Sequence, residues 1–137
     1  MMPMHVKTDK ARLLIAAAIF ASFSAVAHAC PSNLFPTYRA TVTRIVDGDT
    51  FDARVSLGLG VYKDERIRIL GINTPEREQG KAATERTKQL LPLGSTVGLA
   101  TQADKRDSFG RLLACVGNAS YINIGDVLLR EGLAVPY

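Results

Sequence analysis

Residues 41–57 read Thr-Val-Thr-Arg-Ile-Val-Asp-Gly-Asp-Thr-Phe-Asp-Ala-Arg-Val-Ser-Leu. The segment from Tyr38 to Val46 is rich in Thr and Val, whose branched side chains suit a pleated strand, and it runs into the turn signal Asp47-Gly48. Phe51, Ala53, Val55 and Leu57 then alternate with Asp52, Arg54 and Ser56, the period-two pattern of a strand with one buried face. The stretch reads as a hairpin. Beyond a Gly-containing loop from Leu57 to Lys63, Arg66-Ile67-Arg68-Ile69 alternates again and sets both arginines opposite the isoleucines.

Working outward, Glu78 to Leu91 is built from helix-forming residues and stops at Pro92 and Gly94. Thr96 to Thr101 and Arg111 to Val116 read as two short strands joined by the charged segment Asp104-Lys105-Arg106-Asp107. A last helix is expected from about Asn123 to Glu131, with Ile124, Val127 and Leu128 at helical spacing and Gly132 as its stop. Three strands, a helix, two strands and a helix predict an α+β, mainly β domain: a five-stranded OB-type barrel with two flanking helices. Such barrels commonly bind oligonucleotides or oligosaccharides, but fold alone does not establish function.

Toward the N-terminus, Lys7, Lys10 and Arg12 precede the apolar stretch Leu13 to Val26, which closes on Ala27-His28-Ala29. That order is expected to be a secretory signal peptide over residues 1–29, too short and too interrupted by Ser22 and Ser24 for a membrane span. Removing 29 of the 137 residues leaves 108, one domain with one modest core over residues 30–137. The formal charge of +4 falls to +2, because the leader carries three basic residues and Asp9. Affinity for a polyanion must therefore come from where the charges sit. Export would allow Cys30 and Cys115 to form a disulfide. Cys30 as first mature residue also raises lipid anchoring, although Ala-His-Ala matches a lipoprotein signal poorly, so a periplasmic or secreted location ranks above it. Both histidines, His5 and His28, lie in the leader, which excludes Ser-His-Asp and Cys-His catalysis in the mature chain and makes a structural zinc site implausible.

Three clusters remain: Asp47-Gly48-Asp49-Thr50, Arg68 to Glu76, and Asp107-Ser108-Phe109-Gly110-Arg111. Singly, each has a plain structural reading: a hairpin turn, a helix entry with Thr74 as cap, and a turn with a solvated arginine. Together they supply the parts of phosphodiester hydrolysis. Asp49 is a hard oxygen ligand for a divalent cation. Glu76 is a carboxylate able to take a proton from, or orient, an attacking water. Arg68 and Arg111 are fixed cationic forks for a phosphate and its transition state.

In order and approximate spacing, Asp47-Gly48-Asp49-Thr50, Arg68 with Asn73-Thr74-Pro75-Glu76, and Asp107 to Arg111 resemble the signature segments of staphylococcal nuclease-like domains. The likeness extends through Glu131-Gly132-Leu133-Ala134 and covers roughly residues 38 to 134. The resemblance implies an OB-type barrel, Ca2+ as cofactor, and cleavage of DNA and RNA to 3′-phosphate ends. The protein is expected to be a monomer with no stable membrane insertion once the leader is cleaved. It also implies that Asp49 and the Thr74 carbonyl bind calcium, that Arg68 and Arg111 bind phosphate, and that Glu76 is catalytic. Phe109 falls where the family prototype has a tyrosine and is a candidate nucleic-acid contact. Two departures stand out. Asn73 replaces an expected metal-binding aspartate with a neutral oxygen. The sequence also ends at Tyr137, before the C-terminal helix expected by comparison, leaving Tyr137 as a candidate aromatic contact to the nucleotide. The alternative reading is a catalytically weak or inactive nucleic-acid-binding OB-fold module.

Overall fold

The computed structural model describes residues 30, 36–101 and 104–137. The expected leader, residues 1–29, lies outside them. Strands β1 (Tyr38–Asp47), β2 (Thr50–Gly58) and β3 (Val61–Ile69) form an antiparallel meander; β4 (Ile72–Asn73) follows. A 3-10 turn (Arg77–Gly80) then leads into helix α1 (Lys81–Leu90), β5 (Thr96–Ala100), β6 (Leu112–Gly117), helix α2 (Ile124–Arg130) and β7 (Val135–Pro136). The order around the closed barrel is β1-β2-β3-β6-β5, with β3 and β6 parallel and the other neighbours antiparallel. The predicted five-stranded OB-type barrel with two helices is the observed architecture.

The alternation at the hairpin explains the closure. Phe51, Ala53 and Val55 point inward with Val42, Ile67, Ile69, Val97, Leu99 and Val116, and together they fill the barrel. Helix α1 closes one side through buried Ala83 and Thr87, with Leu91 just beyond its end, while α2 contributes Ile124, Val127 and Leu128. Truncating a fully buried residue such as Leu91 to Ala would cost about 2–5 kcal/mol.

Three expected boundaries shift. The loop from Leu57 to Lys63 is mostly strand, because Leu59 and Gly60 both take positive φ (55° and 77°) and turn the chain in two residues. Helix α1 starts at Lys81 rather than Glu78, since residues 77–80 wind as a 3-10 turn in which Gly80 packs directly against the Pro75 carbonyl. Glu76, not Thr74, precedes that turn, in extended conformation and without a side-chain cap. The two-residue pair β4–β7 was not expected. It joins Ile72 to Pro136 and Asn73 to Val135.

The Sγ atoms of Cys30 and Cys115 form a disulfide across 85 positions of chain. It sits in a small cluster with Leu70 and Ala100, on the side of β6 away from the barrel interior. Tethering ends so far apart restricts the unfolded chain, an effect typically of about 2–4 kcal/mol.

Candidate active site

The Asp47-Gly48-Asp49-Thr50 turn is clamped from two sides. Thr87 on α1 donates its hydroxyl to the Gly48 carbonyl at 2.8 Å. A Cβ on Gly48 would meet Ala83 at 2.8 Å and the Thr74 side chain at 2.9 Å, so only glycine lets helix, turn and the Asn73–Thr74 segment converge. That convergence aims Asp49 inward. One of its oxygens accepts the Thr50 hydroxyl at 2.9 Å, and the other accepts the Thr74 backbone N–H at 3.1 Å with the Arg68 guanidinium at 3.6 Å.

Burial pushes the Asp49 carboxyl upward, but hydrogen bonds with Asp47, the Thr74 amide and Thr50, aided by Arg68, outweigh it and leave the group below the usual carboxylate range. Asp47 absorbs the complementary effect. Burial, and then the neighbouring Asp49 carboxylate, raise it to about 6. Two crowded carboxylates concentrate negative charge here.

Arg68 lies on the predicted face, opposite Ile67 and Ile69, yet it is only 8% exposed. Its guanidinium donates to the carbonyls of Ile69 and Ile72 at 3.1 and 3.0 Å and to Asn73 Oδ1 at 3.2 Å. The Tyr137 ring covers it at 5.1 Å. Tyr137 is itself held by its backbone N–H, which donates to the Gly71 carbonyl.

Arg111 arrives from the opposite side. Asp107 anchors it through the side chain at 2.6 Å and the backbone N–H at 2.9 Å, and also accepts the Phe109 N–H. Arg111 in turn donates to the Thr50 hydroxyl at 3.3 Å, so Thr50 bridges Arg111 to Asp49. Phe109 stands at 5.3 Å from the Arg111 guanidinium and is 82% exposed. An open pocket of about 310 Å³ lies between the two arginines, walled by Phe109, Tyr137, Leu70 and Gly71.

Of the residues expected at the site, Asp49, Arg68, Asn73, Thr74 and Arg111 are thus joined in one network, in which hydrogen bonds link Asp49, Thr74 and, through Thr50, Arg111, and the 3.6 Å ion pair of Arg68 with Asp49 adds the Arg68–Asn73 pair; Phe109 and Tyr137 stand at its rim. Glu76 lies two residues past Thr74 with an exposed side chain and no hydrogen bond to the described residues. Three supporting residues were missed: Asp47, Thr50 and Asp107. The motifs contained all three, and the spacing of Asp107 four before Arg111 was the available signal.

Among the described residues no group of three or more His, Cys, Asp and Glu side chains gathers in a way that could hold a metal. The candidate donors are of another kind, one carboxylate with an amide and a backbone carbonyl. The crowded Asp47–Asp49 pair and an all-oxygen donor set suit a hard divalent cation.

Fold and site together define an OB-type barrel that gathers carboxylates and guanidinium groups around a small open pocket. The chain belongs to the family described as Staphylococcal nuclease homologue, which its residues 66–137 match. It is 33% identical over 107 residues to Endonuclease YncB of Bacillus subtilis (strain 168), covering 69% of this chain and 46% of that protein. It is 34% identical over 106 residues to a Thermonuclease of Staphylococcus intermedius, covering 68% and 56% respectively. Against a Micrococcal nuclease of Shigella flexneri the identity is 30% over 109 residues, covering 73% and 59%. The chain spans about half the length of these relatives.

Proposed function

We propose that this protein is an exported, calcium-dependent nuclease that hydrolyses phosphodiester bonds of DNA and RNA and leaves 3′-phosphate ends. The observation that carries the reading is the network in which Thr50 links Asp49 to Arg111 while Arg68 lies against both Asp49 and Asn73. Asp49, the Asn73 amide oxygen and the Thr74 carbonyl would hold calcium, which when bound supplies positive charge to polarise a phosphate.

The chain's own groups do the rest. Arg68 and Arg111, braced before substrate arrives, donate to the phosphate oxygens where charge accumulates as phosphorus becomes five-coordinate. Glu76, whose side chain makes no hydrogen bond among the described residues, accepts a proton from or orients the attacking water. The new bond joins water oxygen to phosphorus; the bond from phosphorus to the 5′ oxygen breaks, and that oxygen takes a proton to leave as a hydroxyl. Phe109 and Tyr137 offer exposed faces on which flanking bases stack.

Residues 1–29 act as a cleaved leader and residues 30–137 as the monomeric working domain, periplasmic or secreted. The Cys30–Cys115 disulfide suits an oxidising compartment. No helix among the described residues is long and apolar enough to cross a membrane.

The second reading, a weakly active or inactive nucleic-acid-binding module, draws on Asn73, whose neutral oxygen is already engaged by Arg68. One assay separates them: the purified domain with single-stranded DNA and with RNA, in calcium and in chelator. Calcium-dependent cutting with 3′-phosphate ends is expected. Binding without cutting would select the module.

A further inference from the structure

The alternation that closes the barrel also builds its outer surface. On the face of β2 and β3 opposite the core, strand register stacks cross-strand rungs that lead away from the site. Thr50 pairs with Arg68, then Asp52 with Arg66, Arg54 with Asp64, and Ser56 with Tyr62. β1 extends three of these rungs, placing Arg44 opposite Asp52, Thr41 opposite Arg54 and Arg39 opposite Ser56. The ladder therefore carries five arginines against two aspartates, and its first rung is part of the candidate site.

These charges are differently committed. Arg66 is spent on Asp52, with two hydrogen bonds at 2.7 and 3.0 Å. Among the described residues none of Arg39, Arg44 and Arg54 forms a salt bridge, and all three are exposed. Arg54 instead lies over the Tyr62 ring at 4.8 Å, while that ring stays 54% exposed. A half-open aromatic ring backed by an unpaired guanidinium is a platform on which a base can stack while the cation meets the adjoining phosphate. A shallow open groove lined by Thr43, Asp52, Ala53, Asp64, Glu65 and Arg66 lies along the ladder between platform and site; of its three carboxylates, Asp52 is neutralised by Arg66 and Glu65 by Arg106.

We propose that the outer face of β1–β2–β3 is a track for the single-stranded nucleic acid flanking the bond to be cut, with Arg54 and Tyr62 forming its distal stacking subsite. The occupant follows from charge complementarity and from continuity with the candidate site; the assignment rests on reading that site as a nuclease. Six residues of strand separate Arg68 from Tyr62, about 20 Å. That length suits a strand at the short end of the ~4–16 nucleotides held by single OB folds.

The test compares the wild type with the double variant Arg54→Ala, Tyr62→Ala on a long single-stranded oligonucleotide and on a dinucleotide. Binding of the labelled long strand is followed in parallel by fluorescence anisotropy in chelator. The track requires KM and Kd for the long strand to rise about tenfold, the effect of losing one stacked base, with kcat and dinucleotide kinetics unchanged. Tyr62→Phe keeps the ring and should behave as wild type. Arg39→Ala, Arg44→Ala should flatten the dependence of binding on salt, by roughly 0.7 in the log–log slope per lost phosphate contact. An unchanged Kd for the long strand in the Arg54→Ala, Tyr62→Ala variant overturns the track, as does an equal loss on the dinucleotide. A wild type that cuts neither substrate would refute the nuclease reading alone, because the anisotropy comparison still decides whether the strand runs over this face.

Discussion

The corner around Asp49 and the loop around Arg111 each deliver one guanidinium to the same pocket, and they hold it by different means. Arg68 is held near its own position by the carbonyls of Ile69 and Ile72 and the amide of Asn73, and in addition by two groups from distant parts of the chain, the carboxylate of Asp49 and the ring of Tyr137. Arg111 is held within its own loop by Asp107, four residues earlier, and among the described residues reaches the corner through Thr50. A cation fixed by tertiary contacts ties the site to the fold. A cation fixed locally can be altered without disturbing the barrel.

The largest expected effect separates these two modes. Arg68→Ala and Arg111→Ala should each lower turnover by roughly a hundredfold or more if both stabilise the phosphoryl transition state. Only Arg68→Ala should also cost stability, about 2–3 kcal/mol, because it leaves the buried Asp49 carboxylate without its cation. Denaturant melts beside kinetics on both variants check this. Equal stability losses would break the distinction.

Next comes the brace itself. Asp107→Asn keeps the loop's shape but weakens the charged hydrogen bond to Arg111, and activity is expected to fall about tenfold with melting temperature nearly unchanged. A fall in kcat with KM preserved would place the loss in the transition state. An unaltered rate would mean that the Thr50 contact alone positions Arg111.

The legibility of the molecule follows the same division. Phe51, Ala53 and Val55 against Ile67 and Ile69 announce the barrel because a two-residue period needs no knowledge of partners. Asp107 and Arg111 are close in sequence, so their pairing was within reach. The burial of Arg68 was not, because its cover comes from Tyr137, sixty-nine positions away, through a two-residue β4–β7 pair with no periodicity to read. The clamp of Thr87 on Gly48 was hidden likewise: a threonine in a weakly patterned helix carries no sign that a turn thirty-nine residues earlier needs its hydroxyl.

A smaller effect concerns the loop's root. Arg106 makes two bonds of 2.8 Å to Glu65 in the middle of β3 and a third to the Gly110 carbonyl, tying the Arg111 loop to the barrel. Hydrogen bonds from Arg106, assisted by Lys63, lower Glu65 to about 2 from its ordinary 4.5. Because the folded value is depressed, the stability is complete above the unfolded pKa of 4.5 and is lost as pH falls toward 2. Glu65→Gln should therefore be less stable than wild type by about 1–2 kcal/mol at neutral pH, discounted from the full shift because Arg106 keeps one side in solvent. The gap should close between pH 4.5 and 2. A gap that persists to low pH would show that the carboxylate's charge is not what roots the loop.

The smallest effect probes the proposed calcium site at the corner. Asn73 Oδ1 accepts from Arg68 at 3.2 Å, so the amide already has one partner before any cation arrives. Asn73→Asp would add a negative charge and a second oxygen, one to remain with Arg68 and one to face calcium. The added attraction favours the cation, but Arg68 beside it cancels part of the field, and the calcium needed for half-maximal activity should fall only roughly threefold. The rate at saturating calcium should change less, since the phosphate clamps are untouched. A calcium titration of both proteins measures it. Identical midpoints would mean that position 73 serves Arg68 and not the metal, making the corner a device for orienting the guanidinium whose calcium rests on Asp49 and the Thr74 carbonyl alone.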